Sequence, residues 1–219
     1  MSHTAVVTGA SRGIGAACAA ALTGAGFRVV TVARSEGDYR CDLTDAAAWD
    51  AVAHRILAER GVPEVVVSNA GAYIVKPLAE TTVEEFRSQI ALNLTASFAV
   101  ARAFLPAMGA AGRGSYISIG SVADHTGYPE NAAYAASKYG LRGLHETLVE
   151  EYRGSGVRLT LVSPGPVDTT LWDPIDPDAR EGFTPRADML RPADVAEAVV
   201  FAATRPPHVH IDWLRLGPT

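Results

Sequence analysis

Short apolar runs alternate with longer segments of helical periodicity along nearly the whole chain. The runs Ala5–Thr8, Arg28–Ala33, Glu64–Ser68, Ser115–Ile119 and Arg158–Val162 have strand length, and Glu64–Ser68 is apolar between its ends, as a strand covered on both faces is. Helices are predicted from Gly13 to about Thr23, over Asp45–Arg60, from about Ala132 to Tyr152, and over Ala193–Ala203. A further long helix opens at Thr82-Val83-Glu84-Glu85, which has the spacing of a capping box, and runs to Pro106 or just beyond. Gly154 and Gly156 suit the end of the helix before them. A short strand at Val209–Leu216 closes the chain. This alternation predicts one doubly wound α/β domain over residues 1–219, a mostly parallel sheet with helices on both faces.

Two stretches depart from the rhythm. Ser35 to Asp38 alone separate the second strand from Tyr39-Arg40-Cys41-Asp42, whereas a parallel crossover normally takes a dozen or more residues. Either the third strand is very short or no helix precedes it, and the crossover helix is expected to be missing. Pro164–Pro192 is long, irregular and rich in Pro and Asp. Loops of that length in compact domains are usually lids or binding segments, so it is expected to be a substrate loop, with Leu171, Trp172 and Phe183 either closing over substrate as an apolar lid or anchoring the loop to the core.

Composition narrows the function classes. The formal net charge of −5 offers no general attraction to nucleic acid or to an anionic membrane. The apolar stretch Ile90–Met108 is interrupted by Asn93 and Arg102, against a membrane span. Cys18 and Cys41 form neither a disulfide framework nor a metal-ligand spacing, and His208 and His210 on one strand face lack a carboxylate or thiolate to complete a metal site. The N-terminus passes straight into the Ala5–Val7 run without a leader pattern, so a reducing cytoplasm is the expected compartment.

The chemistry begins at Thr8-Gly9-Ala10-Ser11-Arg12-Gly13-Ile14-Gly15, between the first strand and the first helix. Glycines there let the backbone approach a pyrophosphate, and the helix N-terminus offers free N–H groups and a positive dipole end. The spacing is G-x3-G-x-G rather than the usual G-x-G-x-x-G, so by itself the loop could equally be a structural turn. Tyr134 and Lys138 stand four apart on a predicted helix and share a face, which suits acid–base chemistry. A neighbouring ammonium should lower the phenol's proton affinity. Ser121 follows a predicted strand at the carboxyl edge, where α/β proteins bind ligands; its rival Ser118 lies inside the apolar run. His125 and Tyr128 lie in the loop between Ser121 and Tyr134, as substrate contacts or as plain loop residues.

These motifs, in this order, resemble the short-chain dehydrogenase/reductase family up to about Phe201. The glycine loop matches the family's T-G-x3-G-x-G; Ser68-Asn69-Ala70-Gly71 matches N-N-A-G with Ser in the first place; Ser121, Tyr134 and Lys138 match the catalytic serine and Y-x-x-x-K; Pro164-Gly165 followed by Thr169 matches the P-G motif. Asn93 falls where the family has an asparagine whose carbonyl holds a water near the lysine, although here the segment reads Asn93-Leu94-Thr95-Ala96. The short Ser35–Asp42 region and the C-terminal segment depart from the family pattern.

The resemblance implies a Rossmann-type fold and a hydride transfer between a nicotinamide and a small-molecule carbonyl or alcohol, with Tyr134 as acid or base, Ser121 on the substrate oxygen, Lys138 on the ribose and Asn93 in a proton relay. It implies cofactor contacts from Gly9, Ser11, Arg12, Gly13, Ile14, Gly15, Asp42, Leu43, Asn69, Ala70, Gly71, Tyr134, Lys138, Pro164, Gly165, Val167 and Thr169, with Asp42 on the adenine amino group. Asn69 could equally hold the central strands together. A homodimer or homotetramer through the helices bearing Asn93 and Tyr134 is implied as well. At the end of the second strand stands Arg34 rather than an acidic residue, and Arg12 adds a second cation, so NADP(H) is expected, with Glu36 and Asp38 close enough to oppose a 2′-phosphate. Two other classes compete: a non-catalytic NADP(H)-sensing regulator, which has no need of an acid–base pair, and a lyase or epimerase, which tends to need a larger substrate domain.

Overall fold

The protein is described from a computed structural model covering residues 3–219. In chain order the elements are β1 (Thr4–Thr8), α1 (Gly13–Gly24), β2 (Arg28–Ala33), β3 (Tyr39–Arg40), α2 (Ala46–Arg60), β4 (Val65–Ser68), α3 (Val83–Ile90), α4 (Ala96–Ala111), β5 (Gly114–Ile119), α5 (Ala132–Glu151), β6 (Val157–Pro164), α6 (Pro192–Ala203) and β7 (Trp213–Leu216). Among these residues the strands form one parallel sheet in the order β3-β2-β1-β4-β5-β6-β7. Strand order reverses between β1 and β4, which opens a crevice at their carboxyl ends.

Strand side chains alternate between two buried faces, which is why the runs are continuously apolar. Val6, Val30 and Val66 point towards Trp49 of α2 and Phe104 and Met108 of α4. Ala5, Val7, Val65 and Val67 point the other way, towards Cys18 and Leu22 of α1 and Val195 and Val199 of α6.

The crossover helix after β2 is absent, as expected, and β3 is two residues long. Tyr39 and Arg40 pair with Val32 and Ala33, so the chain doubles back within Arg34–Asp38. The Asp38 carboxylate makes this possible: its Oδ2 accepts from the Thr31 main-chain N–H and hydroxyl, each at 2.8 Å, and Asp38 N–H donates to Thr31 Oγ1 at 2.9 Å. Gly37 has φ +132, and a Cβ there would lie 3.1 Å from Thr31 O.

The capping box at Thr82 forms in full, and the helix it opens continues through a π-helical turn, Ala91–Thr95, into α4. It ends at left-handed Gly112, six residues past Pro106. By length and hydropathy alone Val83–Ala111 could cross a membrane; instead Val100, Phe104, Leu105 and Met108 are buried against the sheet. At the C-terminus the expected strand Val209–Leu216 is shorter. The chain arrives over Pro206-Pro207, His210 Nε2 contacts Leu159 O at 2.8 Å, and main-chain pairing with β6 starts at Asp212 O. His208 and His210 therefore do not share a strand face, which corrects the placement read from the sequence.

Candidate active site

The carboxyl ends of β1, β4, β5 and β6 surround a cleft of about 1340 Å³. The glycine loop forms its floor. Gly9 has φ +65, and a Cβ there would sit 2.8 Å from Ala70 Cα; a Cβ on Gly15 would collide with the Gly9 carbonyl oxygen. Asn69 locks this close approach, with Nδ2 donating to Thr8 O at 3.0 Å and Gly9 O at 3.2 Å, while its N–H donates to Thr8 Oγ1. Asn69 thus joins β1 to β4 and also lines the cleft. Arg12, at the N-cap of α1, makes no side-chain cap, so the first-turn N–H groups remain available to an anion. A backbone drawn this tight, at a helix start, fits a bound pyrophosphate.

The structure gathers Gly9, Ser11, Arg12, Gly13, Ile14, Arg34, Asp42, Leu43, Asn69, Ala70, Gly71, Tyr134, Lys138, Pro164, Gly165, Val167 and Thr169 around this one cleft. Gly15 is buried beneath the loop and Asn93 is buried, while half-buried Ser121 lies between Gly120 and Val122, both of which line the cleft. Arg12 and Arg34 both line it, Arg34 directly after β2. Asp38, placed there from sequence as a rival charge, has one carboxylate oxygen engaged with Thr31. Asp42 is held by Thr44, whose N–H and hydroxyl donate to Oδ1 at 2.9 and 2.7 Å. Those bonds, with Arg34 beyond them, push its carboxyl below the usual range.

At the other end, Ser121 is the N-cap of a short turn, Val122–Asp124, after β5, and α5 carries Tyr134 and Lys138 on one face. Lys138 Nζ donates to Ile119 O at 2.9 Å and lies 5.7 Å from the centre of the Tyr134 ring. Burial pushes the ammonium down to about 8, with Asp124 acting against the shift. Burial pushes the Tyr134 phenol up, the Ser121 hydroxyl acts against it, and Tyr73 and Asp124 add to it. The sequence expectation of a phenol depressed by its lysine is therefore corrected: in this structure desolvation leads, and the phenol is raised instead.

Asn93 sits at the centre of the π-helical turn and is fully buried. Its Nδ2 donates to Ala72 O and to Ser137 Oγ, both at 3.0 Å, and its Oδ1 accepts from Ala72 N–H at 2.8 Å. Its carbonyl accepts from Ser97 Oγ at 2.9 Å. These contacts tie the loop after β4 to α5.

Sequence reasoning missed Tyr73 and Asp124 among the neighbours of this corner. Tyr73 packs edge-on against Tyr134, with ring centres 4.7 Å apart, and against Trp172 at 5.1 Å. Arg180 reaches Glu130 at 2.6 Å across the mouth of the cleft. Buried Asp124 lies behind Ser121, and the S-x-x-D spacing of Ser121–Asp124 carried a capping-box signal for it. His125 turns inward to Asp124 rather than towards the cleft.

This fold has known counterparts. A family model described as short chain dehydrogenase matches residues 3–180. D-threitol dehydrogenase from Mycolicibacterium smegmatis is 34% identical over 91% of this chain and 85% of its own. A metagenomic short-chain oxidoreductase solved in complex with NADP superposes with TM-score 0.83 at 36% identity, over 99% of this chain and 97% of that one. An alcohol dehydrogenase from Thermococcus sibiricus, complexed with 5-hydroxy-NADP, gives TM-score 0.86 at 29% identity over 100% and 97%. With the fold, the ordered motifs and the matched span in agreement, the chain belongs to the short-chain dehydrogenase/reductase family and is an oxidoreductase of CH–OH and C=O groups.

Proposed function

We propose that the protein is an NADP(H)-dependent reductase or dehydrogenase in which Tyr134 is the general acid and base. The observation that carries this reading is the meeting of Ser121, Tyr134 and Lys138 at the carboxyl end of β5, beside the glycine cradle. When bound, the nicotinamide supplies or accepts a hydride at the substrate carbon. Ser121 and Tyr134 hold the substrate oxygen. A neutral phenol at Tyr134 is the acid that carbonyl reduction needs, and it donates its proton from Oη. Lys138 holds the ribose as an ammonium and eases the return of the proton in the opposite direction. Asn93 keeps the loop after β4 in register with α5.

Arg12 and Arg34 would pair with a 2′-phosphate through charge-assisted bonds. The Asp38–Thr31 clamp supports this preference, since it gives that carboxylate a structural partner. Residues 164–192 act as a lid over a small carbonyl or alcohol, held by the Arg180–Glu130 pair and the Tyr73–Trp172 contact. Exposed Phe98 and Tyr139 lie on the helices through which a homo-oligomer would form. The free thiols Cys18 and Cys41 suit a reducing cytoplasm.

The test is a pair of titrations, NADPH and NADH, against wild type and Arg34→Ala. NADPH should bind more tightly, and the substitution should weaken NADPH alone, by about 10- to 100-fold for a charge-assisted contact. Equal or better NADH binding would refute the 2′-phosphate site. Binding of neither would refute the enzyme reading.

A further inference from the structure

Asp124 closes the turn after β5 and is completely buried. Both of its oxygens are occupied. Oδ1 meets His125 Nδ1 at 2.6 Å; Oδ2 accepts from the Ser163 hydroxyl at 2.5 Å and from the Ser121 main-chain N–H at 3.2 Å. The surroundings close a ring. Trp213 of β7 donates Nε1–H to Ser163 Oγ at 2.8 Å, and its indole meets the His125 ring edge-on at 5.3 Å. Arg142 of α5 and Arg215 of β7 stack on the Trp213 ring at 4.5 and 5.3 Å. Asp124 and Lys138 reach the end of β5 at adjacent residues: Asp124 Oδ2 packs so close to Gly120 that a Cβ there would lie 2.5 Å from it, and Lys138 Nζ donates to the carbonyl of the preceding Ile119 at 2.9 Å.

A cap for so short a turn needs one acceptor. It needs neither complete burial nor surroundings built from two strands and a helix. What does need a buried carboxylate is a buried ammonium, since each ion is unfavourable to bury without an opposite charge. Lys138 is only 5% exposed, and its Nζ donates to Ile119 O. We infer that Asp124 is a positioning residue of the catalytic centre: a buried counter-charge that holds Lys138 as an ammonium, and a clamp that fixes the Ser121 main chain. The inference rests on the reading of Ser121, Tyr134 and Lys138 as the acid–base set.

The chain contains two lysines, Lys76 and Lys138, so labelling lysine with ¹³C at Cε gives two titrating signals. Lys76, paired with Glu85 in a half-exposed ion pair, is the internal reference. In wild type the Lys138 signal should turn over near 8. Asp124→Asn keeps the shape and can still cap the turn but removes the charge. It should lower the Lys138 midpoint by about one pH unit, leaving up to about tenfold less ammonium above that midpoint, and the alkaline limb of kcat should move down with it. Ser163→Ala, which keeps the carboxylate, should leave the midpoint in place. Should the asparagine variant not fold, Asp124→Ser carries the same expectation. A Lys138 midpoint unmoved by loss of the carboxylate overturns the counter-charge; a moved midpoint with an unchanged kcat–pH profile overturns the catalytic role. The midpoint is read without cofactor or substrate, so failure of the wild type to bind NADPH would be seen separately and would count against the proposed function.

Discussion

Tyr134 is enclosed by groups that keep its proton on. Desolvation and the nearby Tyr73 and Asp124 hold the phenol neutral, and Ser121 opposes them. Replacing it with Phe removes one hydroxyl and leaves the ring packed on Tyr73. Carbonyl reduction should fall by about 10²- to 10⁴-fold, the usual worth of a positioned acid, with NADPH affinity little changed. Stopped-flow turnover beside a fluorescence titration checks this, and turnover near the wild-type rate would remove Tyr134 from its role. At this scale the sequence was informative wherever spacing carries geometry. Tyr134 and Lys138 share a helix face because they are four apart, and Gly9 and Gly15 are glycines because their backbones nearly touch neighbours. It was silent about Tyr73 and about the Arg180–Glu130 pair, which form through loop conformations that no local pattern encodes; Glu130 adopts φ +61 to do so.

The element that departs most from its kind is the β2–β3 connection. Five residues replace a helix, and the turn is held by three hydrogen bonds between Asp38 and Thr31. Asp38→Ala leaves the Thr31 N–H without that partner. It should cost about 1–3 kcal/mol, a fall of roughly 2–4 °C in Tm per kcal/mol for a chain of this size. NADPH binding should weaken with it, because Arg34 starts the same loop. A thermal melt within about 1 °C of wild type would show that the strand pairing, rather than the clamp, holds the turn. The missing helix was legible from chain length alone. The clamp was not, since Asp38 and Thr31 are seven positions apart and meet only when the chain reverses.

For the molecule as a whole, acid stability has an identifiable contributor. His145 of α5 is 3% exposed, and neither ring nitrogen has a well-formed hydrogen bond. Burial pushes it down to about 4, only partly offset by the Asp212 main chain. Below about 6.5 the unfolded chain takes up a proton that the folded protein refuses, so stability is lost as pH falls from there towards 4. The full loss from this group is about 3 kcal/mol. His145→Leu should match wild type at pH 7 and keep more of its stability at pH 4.5, by about 2 kcal/mol. Urea midpoints at the two pH values decide it: parallel losses in both proteins would exclude the histidine.

The sequence by itself determined the sheet class, the order of the motifs, the missing crossover helix and most of the cleft lining. Hydrophobic period, glycine spacing and chain length are local quantities, and local quantities can be read along a line. Only the tertiary structure decided that burial raises the Tyr134 phenol, that the C-terminal strand starts at Trp213, and that Asp124 stands at the centre of a closed network behind Ser121. Desolvation depends on everything that packs around a group. Asp124, His125, Ser163 and Trp213 come from a turn and two strands that meet only in the folded sheet.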